Sequence, residues 1–334
     1  MAPRNRPHDL VDSFGRHIDY VRLSVTDRCN LRCRYCMAED MVFLPRRDLL
    51  TLEELAELSR HLVRRGVRRI RITGGEPLVR RGILGLFSDL GAMIGHGLDE
   101  VTVTTNGTEL PKMAQDLHAC GVRRVNVSLD TLDADTFAHV TRRGNLADVI
   151  AGVDAARAAG LKVKLNMVAM KGVNDTAFAD MADWCAARGL DLSIIETMPL
   201  GEVEGTRADT YLPVAAARDA IEERFDLVPS THRTGGPSRY FELGRTGSRV
   251  GFISPLSNNF CAGCNRIRIA ATGTIYGCLG HDQKVELRDI MREQGADALD
   301  AALDRLLAGK PERHEFDIEK SEPAVRRHMS VTGG

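Results

Sequence analysis

Cys29-Asn30-Leu31-Arg32-Cys33-Arg34-Tyr35-Cys36 holds three cysteines within eight positions, spaced C-x-x-x-C-x-x-C, just after the alternating run 21–25. A short loop lets three thiolates face one point, and such a set suits an iron–sulfur cluster. A cubane 4Fe–4S cluster has four corners, so three cysteines leave one iron open, as a catalytic metal keeps one position free. Zinc is the rival, with a fourth ligand arriving from elsewhere, although zinc sites more often use two C-x-x-C pairs or Cys/His mixtures. A disulfide is disfavoured, because the chain opens Met1-Ala2-Pro3-Arg4-Asn5-Arg6 with no apolar signal segment.

Cys261, Cys264 and Cys278 make a second set, C-x-x-C followed by Cys278 after a longer gap. Here spacing alone leaves cluster and zinc open, since His281 stands close enough to complete a Cys3His tetrahedron. Arg266 and Arg268 alternate along an expected strand right after Cys264, so both face one side. A guanidinium fork can pair two phosphate oxygens. With 45 Lys+Arg in the chain, the plain alternative for any single arginine is a solvated surface charge. Thr73-Gly74-Gly75-Glu76-Pro77 follows an expected strand, and its glycine pair would let backbone approach a ligand closely. A tight strand-to-helix turn is the competing explanation.

C-x-x-x-C-x-x-C with an aromatic before its last cysteine resembles the signature of radical S-adenosylmethionine enzymes. The longer string Arg22-Leu23-Ser24-Val25-Thr26-Asp27-Arg28-Cys29-Asn30 is similar to the GTP 3′,8-cyclase family, which opens molybdenum-cofactor biosynthesis. The resemblance covers 14–334 and departs mainly at Met37-Ala38, where many relatives carry Met-Pro. It implies two 4Fe–4S clusters, held by Cys29, Cys33, Cys36 and by Cys261, Cys264, Cys278, with His281 incidental. It implies that S-adenosylmethionine lies against Tyr35, Gly75, Ser128 and Met198. GTP would lie against Arg22, Arg71, Thr104, Lys164, Arg266 and Arg268, with Thr102 the alternative to Thr104, while Arg69 receives no role. Cleaving the sulfonium would release a 5′-deoxyadenosyl radical that takes the ribose 3′ hydrogen, and the carbon radical would close onto C8 of guanine. Gly333 and Gly334 end the chain as such relatives do, and their tail is expected to reach the active site. Implied partners are GTP, a low-potential electron donor, and a cyclic pyranopterin monophosphate synthase downstream; a homodimer is left open. Two other function classes remain: a radical enzyme acting on another substrate with an auxiliary cluster, and a zinc-stabilised module without catalysis.

Something must position these residues. A capping box, Thr51-Leu52-Glu53-Glu54, opens a helix with Leu55, Leu58 and Leu62 on its apolar face, and Gly66 ends it. Strands are expected at 67–73, 101–105, 122–129, 161–169 and 192–198, with helices through Leu84 to Leu90, Leu110 to Cys120, Leu146 to Val153 and 178–185. With the strand before Cys29 this makes six β/α units, which predicts an α/β fold: a partial (β/α)6 TIM-like barrel, with chemistry at the strands' carboxyl ends. Beyond 213 the alternation stops. Residues 229–237 are expected as a linker or long loop, and strands at 248–253 and 267–271 and helices at 286–292 and 298–307 follow. The expected division is a lead-in at 1–17, the barrel at 18–212, and a C-terminal α+β domain at 213–334 closing the barrel mouth. Cys120 and Cys185 lie on apolar helix faces and are expected in the core, while His61, His118 and His139 lack partner spacing.

Composition limits the rest. A length of 334 residues suits one large domain or two medium ones at a prior of about 150 residues each. The net charge of −1 argues against nonspecific nucleic-acid binding. No apolar run nears the roughly 20 residues a bilayer requires, so no membrane partner is expected and the expected location is the cytoplasm. Eight cysteines in a reducing compartment then point to metal or catalysis.

Overall fold

The computed structural model describes residues 9–201, 207–320 and 322–333. Six parallel strands, β1 (Tyr20–Ser24), β2 (Arg69–Thr73), β3 (Glu100–Thr105), β4 (Arg124–Ser128), β5 (Lys162–Ala169) and β6 (Asp191–Glu196), stand in sequence order. The helices between them are α1 (Leu52–Arg64), α2 (Ile83–Gly91), α3 (Leu110–Ala119), α4 (Ala134–Thr141), α5 (Leu146–Ala158) and α6 (Phe178–Arg188). The α1 capping box forms as expected: Thr51 Oγ1 accepts from the Glu54 N–H at 3.1 Å, and Glu54 accepts from the Thr51 N–H at 2.7 Å. The short α4 was not expected; Asp133 caps it by accepting from the Thr136 N–H at 2.7 Å.

Strand composition explains why this sheet encloses space. Val21, Leu23, Ile70, Ile72, Val101, Val103, Val125, Val127, Val163 and Leu165 are buried among the helices. The alternate positions carry Arg22, Arg71, Thr102, Thr104, Asn126, Ser128, Lys164 and Asn166. Successive side chains point to opposite faces, so the apolar set meets the helices and the polar set faces inward. In ordinary (β/α) barrels branched apolar residues fill the interior. Polar inner faces leave a cavity instead.

The remaining elements are α7 (Arg207–Thr210), α8 (Val214–Glu222), β7 (Leu227–Pro229), β8 (Arg239–Leu243), β9 (Arg249–Ile253), β10 (Arg266–Ile269), β11 (Thr274–Tyr276), β12 (Lys284–Glu286), α9 (Leu287–Glu293), α10 (Ala296–Ala308) and α11 (Met329–Thr332). They do not build a sheet of their own. The strand order β12-β11-β10-β1-β2-β3-β4-β5-β6-β9-β8-β7 shows β9 joining the β6 edge and β10 the β1 edge, both in parallel. An antiparallel pair of strands follows outside each. Both barrel edges are thereby paired rather than exposed.

Register decides which end this region covers. Tyr20 at the start of β1 stands opposite Arg266, and the Tyr20 N–H donates to the Asn265 carbonyl at 3.2 Å. The second cysteine set therefore lies toward the strands' amino ends, and the first leaves β1 at the carboxyl ends. Closure by the C-terminal region is two-sided: its cysteine segment seals one end while α11 reaches the other. Among the described residues no helix is long and apolar enough to cross a membrane.

Candidate active site

Two abutting cavities occupy the barrel interior, of about 180 Å³ at the carboxyl ends of the strands and about 160 Å³ toward the amino ends. Asn166, Ile195, Met198 and Met329 line both, so these side chains form the boundary.

Cys29, Cys33 and Cys36 line the upper cavity with Tyr35, Gly75, Ser128 and Met198, every residue expected there. Met198 lies two residues past the end of β6, since the strand stops at Glu196 instead of reaching 198. The loop carrying the cysteines is seated on the Gly74-Gly75 backbone. The Gly75 N–H donates to the Thr26 carbonyl and the Glu76 N–H to the Arg28 carbonyl, both at 2.8 Å. A Cβ on Gly75 would stand 2.4 Å from the Arg28 carbonyl oxygen. The glycine pair is thus required by the cysteine loop's own backbone, in addition to any ligand. Tyr35 donates its hydroxyl to Asp130 Oδ2 at 2.8 Å, and Asp130 Oδ1 accepts from the Val168 N–H at 2.8 Å, which fixes the ring against the cavity.

Burial pushes the Cys29 thiol up to about 11 and Cys36 up to about 12, and drives Cys33 in the same direction. The nearby carboxyl groups of Glu76 and Asp130 add to this, on Cys29 and on Cys33 and Cys36 respectively. Three thiolates would not persist there without a cationic core. No three His, Cys, Asp or Glu side chains among the described residues converge on a point suited to one metal ion. A donor trio that faces a shared cavity and lacks a fourth protein ligand fits a 4Fe–4S cluster with one corner left open.

The lower cavity gathers Arg22, Arg71, Lys164, Arg266 and Arg268 with Cys261, Cys264 and Cys278. Arg268, Arg22 and Arg71 occupy matched positions on three neighbouring strands, Arg22 being opposite each of the others. Burial, then the neighbouring guanidinium groups of Arg268 and Arg71, press Arg22 well below its ordinary range. Burial and Arg266 bring Arg268 down to about 9, and burial with Arg71 and Arg124 depresses Lys164. Tyr240 holds Lys164 in place, its hydroxyl accepting from Nζ at 3.5 Å. Like charges so arranged repel one another, and a polyanion is the ligand that relieves them.

Thr104 does not join this group. It lines the upper cavity, its buried Oγ1 without a hydrogen-bond partner among the described residues, whereas Thr102 accepts from Arg71 Nε at 3.4 Å. His281 donates Nε2 to the Arg313 carbonyl at 3.1 Å. Arg69 pairs with Asp19 at 2.9 Å. Cys185 is buried in the core and Cys120 packs half-buried against it, while His61 bonds Asp300 at 2.7 Å.

Several lining residues escaped the sequence. Pro229 ends β7 instead of opening the expected loop, residues 230–238 form it, and Thr234, Gly236 and Pro237 wall the lower cavity with Ser238. Glu76 anchors the upper cavity through the Asn106 N–H at 2.6 Å and Thr105 Oγ1 at 2.8 Å. Phe260, His314 and Phe316 line the lower cavity beside the second cysteine set. Only the Glu76 position was visible, within the Gly74-Gly75-Glu76-Pro77 string.

The tail enters both cavities. Ser330 lends its backbone N–H to Cys36, Met329 lies on the boundary, and Arg268 Nη1 donates to the Gly333 carbonyl at 2.7 Å. Gly334 lies outside the described residues.

Comparison with known proteins agrees at two levels. A Radical SAM superfamily model matches residues 23–185, and a Molybdenum Cofactor Synthesis C model matches residues 190–316. Streptococcus suis SuiB shares the fold at a TM-score of 0.60 and 16% identity, over 88% of this chain and 68% of that one. Its S-adenosylmethionine-bound form gives 0.59 and 15%, over 92% and 77%. Barrel and three-cysteine loop together define a radical S-adenosylmethionine protein, a class that works with S-adenosylmethionine and a 4Fe–4S cluster. A GTP 3′,8-cyclase of Erythrobacter litoralis is 56% identical over 98% of this chain and 99% of its own. Those of Rhizobium etli and Agrobacterium fabrum are 52% and 54% identical, over 98% and 100% of this chain and 95% and 96% of theirs. The chain belongs to the GTP 3′,8-cyclase family.

Proposed function

We propose that this protein converts GTP to 3′,8-cyclo-7,8-dihydro-GTP for molybdenum-cofactor biosynthesis. The observation that carries the reading is the row of buried cations Arg268, Arg22 and Arg71, with Lys164 and Arg266, set between two cysteine trios. The cluster and S-adenosylmethionine, when bound, supply the one-electron chemistry that removes the ribose 3′ hydrogen and lets C3′ bond to C8. Everything else falls to the protein. Tyr35, Gly75, Ser128 and Met198 would hold S-adenosylmethionine in the upper cavity, with the Tyr35 ring fixed by Asp130. Arg22, Arg71, Lys164, Arg266 and Arg268 would take the triphosphate, and Thr104, in the wall of the upper cavity, would meet whatever part of the nucleotide reaches past the boundary residues. Cys261, Cys264 and Cys278 would hold a second 4Fe–4S cluster, which with three protein ligands would keep one iron available to the nucleotide. Burial pushes Cys278 up, whereas at Cys264 it is outweighed by Lys310 and Arg266, which hold that thiol below its ordinary value. A hydrogen-abstracting radical needs exclusion of stray partners, and the barrel walls around the two cavities would contribute to it.

Residues 18–212 would then be the radical-generating barrel and 213–334 the part that adds the nucleotide end. A low-potential electron donor would supply the electron, a cyclic pyranopterin monophosphate synthase would consume the product, and the cytoplasm would be the location. The test is anaerobic incubation of the reconstituted protein with dithionite, S-adenosylmethionine and GTP, analysed by mass spectrometry. Stoichiometric 5′-deoxyadenosine and a cyclised nucleotide are expected, together with about eight irons per chain. 5′-Deoxyadenosine formed at the same rate without GTP, and no cyclised nucleotide, would refute the substrate assignment.

A further inference from the structure

Lys310 is only 3% exposed, although a lysine ammonium ordinarily reaches water. Its Nζ donates to the Gly277 carbonyl at 2.6 Å and lies 3.6 Å from Cys264 Sγ. Two of its three donors are thus directed at the backbone just before Cys278 and at one cysteine sulfur. No carboxylate among the described residues forms an ion pair with it, and a buried ammonium left without an anion is costly. Nor is the side chain free to swing out. Lys310 stands just past Gly309, the C-cap of α10, and Arg16 clamps the next two residues, donating to the Pro311 carbonyl at 2.7 Å and the Glu312 carbonyl at 2.6 Å. The same guanidinium donates to the Cys261 carbonyl at 2.8 Å, so one residue of the lead-in fixes the cysteine loop and the lysine together.

We infer that Lys310 is the resident counter-charge of the second cysteine site, a positioning residue that raises the reduction potential of the cluster held there. The inference rests on assigning Cys261, Cys264 and Cys278 as cluster ligands. Reduction brings one electron from an external reductant such as dithionite, and makes the thiolate-bound core more negative by one charge. A fixed cation at hydrogen-bond distance from a ligand sulfur favours that reduced state. The upper trio has Glu76, Asp130 and Arg32 as charged neighbours, and the hydrogen bonds of Lys310 go to Cys264 and Gly277, so the effect of this lysine falls on the lower cluster.

Potentiometric titration of the holoenzyme, followed by low-temperature electron paramagnetic resonance, tests it. Lys310→Met keeps the length of the side chain and removes the charge; Lys310→Arg keeps the charge. In Lys310→Met one of the two cluster signals should move to lower potential, so that at the wild-type midpoint its reduced-to-oxidised ratio falls about tenfold, or about 59 mV for a one-electron couple. The other signal should stay, and Lys310→Arg should restore the first. Loss of four of the eight irons in Lys310→Met but not in Lys310→Arg would also uphold the role of the charge. Unmoved potentials in fully loaded Lys310→Met, or equal loss of iron in both variants, would overturn it. Wild-type protein with about four irons and one signal would overturn the second-cluster assignment and this role with it, a result distinct from eight irons and unmoved potentials.

Discussion

Arg22 is a cation held in the barrel interior. Burial and the guanidinium groups of Arg268 and Arg71 oppose its charge and outweigh the support from Tyr20, so the ligand-free protein carries an electrostatic cost that a bound anion relieves. Arg22→Met should therefore raise the melting temperature measured without nucleotide while weakening GTP binding by roughly one to two decades. A lower melting temperature with unchanged affinity would mean that its protein contacts outweigh the repulsion. Glu76 shows the opposite sign of charge under the same constraint. Burial pushes its carboxyl from the ordinary 4.5 up to about 7, against the donors from Asn106, Leu78 and Thr105. Between those values the folded chain keeps a proton that the unfolded chain has released. The stability tied to that proton is complete below pH 4.5 and lost as the pH rises through about 7. Glu76→Gln cannot titrate, so urea unfolding of the cluster-free protein should show a flatter stability profile across that window. A slope as steep as the wild type's would place the titrating group elsewhere.

The alternating strands were legible before any coordinates, because apolar residues at every second place can only serve a sheet with one face toward helices. What periodicity could not reveal was the destination of the later strands. β9 and β10 are four or five residues long, and nothing local in Arg249–Ile253 or Arg266–Ile269 specifies which distant edge each will join. Their partners are set by the shape of the six-stranded sheet, whose two free edges must be covered. The same holds for helix packing. His61 meets Arg64 on its own helix at 3.2 Å, but its other nitrogen bonds the distant Asp300 on α10 at 2.7 Å, and Arg65 bonds Asp300 at 2.6 Å. These contacts tie the C-terminal region to the outside of the barrel. Asp300→Ala should cost about 1–2 kcal/mol, toward the low end for charge-assisted bonds because Asp300 is partly exposed. Urea unfolding would measure the loss, and a cost no larger than that of Asp304→Ala, whose side chain is 63% exposed, would show that the latch carries little.

At the scale of the whole molecule the chain returns to its own beginning. The cysteine trios could be read from spacing, and arginines could be nominated from their strands, but only folding shows that one tail spans both cavities. Its position departs from the ordinary behaviour of chain ends, which are loose unless something ties them down. Here Ser330 and Thr332 are buried, the Ser330 N–H meets Cys36, and the Gly333 carbonyl takes a hydrogen bond from Arg268. Gly333 is the residue that makes the path available. Its φ of +74° suits glycine, and a Cβ there would lie 1.9 Å from Thr73 Oγ1, a hydroxyl on the barrel wall. Gly333→Ala should therefore lift the tail from Arg268 and cost Cys36 the Ser330 N–H, while all six cysteines stay in the chain. Iron content and S-adenosylmethionine binding should persist, GTP cyclisation should be lost, and trypsin should cut at Arg326 and Arg327 faster than in the wild type. Deleting Gly333 and Gly334 should give the same loss of cyclisation through the freed Arg268. Full activity in both variants, with the tail still protected from trypsin, would show that the contact between Arg268 and the tail is incidental to the reaction.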